Sequence, residues 1–227
     1  MSKVKLSSPG KMPCPSWSLQ AIDTCPGAHE GGKLVPACAG CYATGGNYRF
    51  PTVVGLREYN KQDWQRDDWA DDMIAELQNL RYFRWFDSGD MYHEKLAQKI
   101  YLVMRATPWC NHWLPTRMHK FPKFGQVIQR MSALPNVVVR LSSDSVFGEV
   151  VNDISSPHSS TIVPPEDVKH MKGLRSVTVC EAYDRGGRCD TCRACWDKDV
   201  EVIAYPAHGK KMLNLIASTA QQSYAAA

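Results

Sequence analysis

The sequence predicts an α/β fold: an incomplete (partial) βα barrel of about six mostly parallel strands, with a cysteine-rich metal-binding loop on either side. Three observations lead there. Helical and strand patterns alternate through the middle of the chain, as they do in proteins built on a parallel sheet. Three successive strand patterns end in polar clusters: Ser88-Gly89-Asp90, Thr116-Arg117 and Ser142-Ser143-Asp144. The cysteines other than Cys110 fall into two groups flanking that middle. A complete eight-fold barrel takes ~250 residues. This chain has 227, and the cysteine segments use part of them, so closure is not expected.

The elements follow from periodicity. Residues 52–62 suit a helix. Asp63 to Leu80 suit a better one, with Trp69, Met73, Leu77 and Leu80 three or four apart. Asp67, Asp68, Asp71 and Asp72 then face water. A strand is expected over Tyr82 to Asp87. A helix is expected over Tyr92 to Arg105, with Leu96, Ile100 and Val103 on one face and Pro108 as its stop. Cys110 to Leu114 read as a strand, and the tryptophans at 109 and 113 mark Cys110 as core. Phe124 to Leu134 read as a helix and Asn136 to Leu141 as a strand. Further strands are expected at Thr161 to Val163, Ser176 to Val179 and Val200 to Ala204. The tail from Ser218 to Ala227 is expected to fray. The whole forms one domain, with an N-terminal cysteine loop (1–50), a βα core (51–175) and a C-terminal cysteine element (176–200).

Composition narrows the function. At 44% hydrophobic and 22% charged, the chain is of ordinary globular type. No apolar run approaches the ~20 residues of a membrane span. Met1 to Leu6 lack the apolar core of a signal peptide, so a cytoplasmic location is expected. A net charge of +4 permits an anionic ligand without demanding nucleic acid. No HExxH, GxSxG or phosphate-loop pattern occurs, and the seven histidines are dispersed, which argues against hydrolases and nucleases.

Nine cysteines in a chain without an export signal point to metal rather than disulfides. The second group reads Cys180-x8-Cys189-x2-Cys192-x2-Cys195. Overlapping CxxCxxC turns aim several thiolates at one compact centre, as in ferredoxin runs. A [4Fe-4S] cluster is therefore preferred there, with zinc as the alternative. Gly186 and Gly187 let the loop fold back, and Arg185, Arg188 and Arg193 offset thiolate charge. The first group has a tight pair, Cys38-x2-Cys41, with Cys25 thirteen positions before it and Cys14 earlier still, between two prolines. Three ligands would leave one iron of a cubane open to a substrate. A fourth, Cys14, would close it. The spacing alone leaves both arrangements open. At the strand ends, Ser88, Gly89, Asp90, Thr116, Arg117, Ser142, Ser143 and Asp144 are candidate ligand contacts. Individually, each cluster would also serve as a helix cap.

These residues resemble a family of cysteine-rich bacteriophage proteins. The shared features are Cys14-Pro15, Cys41-Tyr42-Ala43 with Gly46 and Tyr48, Ser88-Gly89-Asp90, and Cys180 to Cys195. That resemblance would place the protein in the host cell cytoplasm. A more distant resemblance is to radical S-adenosylmethionine (SAM) enzymes, partial or full βα barrels with a three-cysteine [4Fe-4S] loop. It implies that Cys25, Cys38 and Cys41 hold the cluster. Gly89-Asp90 would stand where those enzymes bind the SAM amino group, and Ser142 and Asp144 at the fourth-strand SAM contact. Cys180 to Cys195 would be an auxiliary cluster. The pattern departs from CxxxCxxC: the first spacer here is twelve residues, and Gly40 rather than an aromatic precedes the third cysteine.

Three functions compete. The first is a radical SAM-like enzyme acting on a small or macromolecular substrate with an electron donor. The second is an iron–sulfur protein without SAM, for electron transfer or structure. The third is a metal-stabilised nucleic-acid-binding module. It would use the basic and aromatic runs 48–50, 81–85 and 117–121 for base stacking. For 81–85 the preferred reading is strand packing.

Overall fold

The computed structural model describes residues 4–225. After β1 (Ser16–Trp17) comes a long excursion. It holds a hairpin of β2 (His29–Glu30) and β3 (Lys33–Leu34), then α1 (Pro36–Ala39), α2 (Pro51–Asp63) and α3 (Trp69–Glu76). Strands and helices then alternate through β4 (Tyr82–Trp85), α4 (Glu94–Ala106), β5 (Asn111–Thr116), α5 (Pro122–Ser132) and β6 (Val137–Ser142). The remainder is β7 (His158–Val163), α6 (Val168–Lys172), β8 (Val177–Val179), β9 (Val202–Pro206) and α7 (Lys210–Ala225).

Seven strands form one sheet in the order β1-β4-β5-β6-β7-β9-β8, and every pairing is parallel. The end strands β1 and β8 do not pair with each other, so no barrel closes. The order is sequential up to β7 and then inverts. β9 takes the place beside β7, and β8 becomes the edge. The segment between β8 and β9 is the second cysteine element.

Register divides the sheet into two chemically different faces. Arg84 pairs with Trp113, Pro115 with Arg140, and Ile162 with Tyr205. Alternation therefore puts Tyr82, Arg84, Trp113, Arg140 and Tyr205 on one face. Phe83, Trp85, Leu114, Val137, Val139 and Leu141 line the other. This apolar face packs on Leu96, Ile100 and Val103 of α4 and on Phe124, Ile128 and Met131 of α5 in one core that includes Cys110. The first face is left to be covered by something else.

Three local expectations change. The helix read over Asp63 to Leu80 is broken, and only Trp69–Glu76 remains helical. The break is held by Arg66, whose guanidinium meets Asp63, Asp68 and Asp72 at 2.6–2.7 Å, so two of the aspartates read as merely solvated bind a cation. The sheet has seven strands rather than about six, because Ser16–Trp17 inside the first cysteine segment pairs with Arg84 and Trp85. The tail read as frayed from Ser218 continues α7 to Ala225. Among the described residues, no helix is long and apolar enough to cross a membrane.

Candidate metal centres

The sequence groups cysteines by position; folding regroups them. Cys25 ends a loop whose backbone turns tightly, its N–H donating to Ile22 O at 3.1 Å. Cys38 lies in α1, and the Cys41 N–H donates to Cys38 O at 3.1 Å. Burial, with Asp90 and then Cys38 and Cys41 adding, pushes the Cys25 thiol up to about 12. Cys38 is raised by burial against the pull of Arg117, with Cys41, Asp144 and Asp90 adding. The three thiols thus share one neighbourhood, over the carboxyl ends of β4, β5 and β6.

The loop is docked there by backbone. The Ala37 N–H donates to Asp144 O at 3.0 Å, and the Asp90 N–H donates to Thr24 O at 3.0 Å. Gly27 lies so close to β5 that a Cβ would stand 2.6 Å from Arg117 Cβ and 2.7 Å from its carbonyl oxygen. Gly89, at φ 79, admits the chain's own loop: a Cβ there would meet Leu19 and Thr24.

The polar strand ends are joined to one another. Asp90 is buried, and its carboxylate accepts from Thr116 Oγ1 at 2.8 Å, the Arg117 N–H at 2.9 Å and the Met91 N–H at 2.8 Å. Burial raises its pKa against these donors. Arg117 donates through Nε to Asp144 at 3.1 Å and through Nη2 to Ser143 O at 2.7 Å, and Lys120 Nζ reaches Asp144 at 2.5 Å. Ser88 Oγ donates to Leu19 O at 2.6 Å. Ser142 ends β6, beside Ser160. Asp90, Thr116, Arg117, Ser143 and Asp144 are therefore linked in one floor, whereas Ser88 and Gly89 meet the loop residues Leu19 and Thr24, and Ser142 pairs with Ser160. Asp90 spends its acceptors within it, whereas Asp144 is partly exposed.

An open hollow of about 400 Å³ is lined, among others, by Gln20, Ile22, Thr44, Tyr48 and Arg49, which flank the first cysteine group in sequence. Ile22 sits at φ 69, a strained conformation for a β-branched residue. Gln20 Oε1 is buried without a hydrogen-bond partner among the described residues.

Cys14 does not join this triad. It is buried with Trp113 and Trp196, with Met12, Cys195 and Tyr205 packed alongside. Burial pushes its thiol up to about 12 against Arg84 and Arg193, with Cys189 adding. The Cys189 N–H donates to Lys11 O at 3.0 Å, and its Sγ lies 3.9 Å from Met12 Sδ. Cys180 and Cys189 are raised by burial, and each is pushed further by Cys192. Burial raises Cys195 to about 11 although the Tyr205 hydroxyl at 3.4 Å opposes it. This group covers the polar face of the sheet. Trp196 Nε1 donates to Phe83 O at 2.9 Å, and its ring packs edge-on against Tyr82 and Trp113.

Sequence reasoning missed two arginines. Arg140, fully buried in β6, donates to the carbonyls of Ala194, Cys195, Asp197 and Glu201 at 2.9–3.2 Å. Arg84 lies over the Trp113 ring at 4.4 Å and donates to the Tyr42 hydroxyl at 3.3 Å, so it stands between the two cysteine groups. A lone arginine in an apolar strand such as NVVVRL is the signal that could have found Arg140.

Among the described residues, no three His, Cys, Asp or Glu side chains stand close enough to grip a single metal ion. A tetrahedral zinc–thiolate site, with Zn–S of ~2.3 Å, needs sulfurs within ~4 Å of each other. A four-iron cluster spreads its thiolates wider around its core. The donor set, thiols alone in each group, suits zinc and iron–sulfur clusters alike.

A family model described as Gene product 88 matches residues 2–198. Among curated proteins and solved structures, nothing matches the chain.

Proposed function

The chain belongs to the Gene product 88 family, and we propose that it is a bacteriophage-type iron–sulfur protein acting as a radical SAM-like enzyme. Cys25, Cys38 and Cys41 would hold a [4Fe-4S] cluster with one iron open. The observation that carries this reading is the regrouping of Cys14. Cys25 packs with Cys38, and Cys41 follows one turn later; among the described residues these three are the cysteines beside Asp90 and Asp144, at the strand edge where parallel α/β sheets place ligands. A fourth thiolate would close the site, and the only other N-terminal cysteine packs elsewhere.

Such a cluster, reduced by an electron donor, would supply the one electron for reductive cleavage of the sulfonium C–S bond of SAM to methionine and a 5′-deoxyadenosyl radical. The chain's own residues would orient the cofactor. In this reading Ser142 and Asp144 would lie toward its amino and carboxylate ends, with Arg117 and Lys120, which pair with Asp144, free to turn to the carboxylate when the cofactor enters, and with Thr116, Ser143 and Ser88 nearby. Asp90, with Gly89, positions that floor, because its oxygens already serve three donors. The hollow lined by residues on either side of the triad in sequence has the size of small-ligand sites, ~300–1,000 Å³.

The nucleic-acid reading gains less support. Phe83 and Trp85 are core, Met118 is buried, and Arg117 and Lys120 pair with Asp144. Of the three basic–aromatic runs only 48–50 offers an exposed ring, Phe50. Anaerobic purification with iron and acid-labile sulfide counts tests the proposal. Brown protein containing both supports it. Stoichiometric zinc without sulfide rejects it.

A further inference from the structure

We propose that Cys14 is a ligand of the second metal centre, which is thereby built from both ends of the chain: Cys14 with Cys180, Cys189 and Cys195, in place of the exposed Cys192. This rests on the reading of both cysteine groups as metal sites. It replaces the sequence-based choice between a three- and a four-cysteine first site.

Three independent observations carry it. The first is position. Cys14 shares a packed pocket with Cys195 and Tyr205, and the chain on either side is fastened to the second element. Lys11 O accepts from the Cys189 N–H at 3.0 Å, and Lys11 Nζ donates to the Tyr183 hydroxyl at 2.8 Å. Prolines at 13 and 15 stiffen the segment so that the cysteine between them is held in place.

The second is charge. Arg84, Arg140 and Arg193 surround the group, yet none forms an ion pair with a carboxylate among the described residues. Arg140 is fully buried and meets only carbonyl oxygens. A buried cation without a counter-ion is costly. Metal-bound thiolates at Cys14 and Cys195 would supply the missing negative charge.

The third is chemistry. Zinc and a four-iron cluster each take four thiolates, and the buried Cys14 completes that set with the part-buried Cys180, Cys189 and Cys195, leaving the exposed Cys192 outside it. Met12 and four aromatic rings would shield it from water.

The test uses the full chain purified anaerobically, with iron, zinc and sulfide counts and EPR of the reduced protein. Cys14→Ala is expected to lose one centre's metal and keep the signal of the Cys25–Cys38–Cys41 site. Unchanged metal content in this variant would overturn the inference while leaving the first site's reading intact. Metal-free wild-type protein would overturn both. If Cys14→Ala fails to fold, alkylation of wild-type protein decides. Cys14 is expected to react with iodoacetamide only after a chelator strips the metal. Cys110, buried in the core, serves as the control that stays unreactive throughout. Equal labelling of Cys14 before and after stripping would overturn the inference.

Discussion

The backbone N–H of Ala37 donates to the carbonyl of Asp144 at 3.0 Å, seating the segment from Cys25 to Cys41 directly on the end of β6. Main chain rather than side chain makes this contact. The placement of the thiols therefore depends on how closely the loop can approach the strands.

Gly27 sets that approach at the neighbouring strand. In Gly27→Ala the new methyl would press on Arg117 backbone, which cannot swing aside. The expected cost is ~1–3 kcal/mol, with loss of metal from the first group. Gly40→Ala is the comparison. Its nearest obstacle is the flexible end of Met212, so it should be milder. Urea midpoints and iron counts of the two variants check this, and equal effects would contradict it.

Asp90 joins two strand ends through three donors. Asp90→Asn leaves one acceptor oxygen and turns an amide N–H toward groups that also donate. A loss of about 1.5–3 kcal/mol is expected, since bonds to charged groups are worth that much. A stability unchanged from wild type would mean that the carboxylate does not hold the floor together.

His112 gives the fold a pH dependence. It is buried in β5, its Nδ1 accepts from Trp85 Nε1 at 3.2 Å, and its Nε2 meets Thr107 Oγ1 at 2.8 Å. Burial holds the ring neutral and lowers its pKa to about 3 from the ordinary 6.5. Below pH ~6.5 the unfolded chain takes up a proton that the folded one refuses. Stability is therefore full above that pH and falls through the interval down to about 3, by at most ~1.4 kcal/mol per unit. His112→Phe should lower stability at pH 7 but flatten the acid slope. His119, His158 and His208 are also lowered by burial, so the difference in slope between wild type and variant isolates His112. Parallel slopes would contradict the assignment.

Much of this architecture is legible in local sequence. The apolar spacing of Leu96, Ile100 and Val103 finds α4, and NVVVRL finds β6, because both patterns record which face is buried. The three polar strand ends and the two cysteine clusters are equally visible. What escapes is non-local. Cys14 sits near Cys25 in sequence but near Cys189 in space, and no spacing rule reports that. β1 is two residues long and carries no period. The inversion of β8 and β9 depends on where a long cysteine element must sit. Asp90 is conspicuous as an acid, yet two of its three donors, Thr116 Oγ1 and the Arg117 N–H, come from the end of β5, so its positioning role appears only in the folded chain.

A three-thiolate cluster with an open iron at Cys25, Cys38 and Cys41 is the proposal on which the function rests. The most direct measurement is EPR of the reduced, anaerobically purified protein with and without SAM, with 5′-deoxyadenosine measured in the same sample. The account predicts a cluster signal in the Cys14→Ala variant that SAM alters, and release of 5′-deoxyadenosine on reduction. A first-site signal that SAM leaves untouched, with no 5′-deoxyadenosine formed, would contradict it and leave electron transfer or structure as the role of the iron.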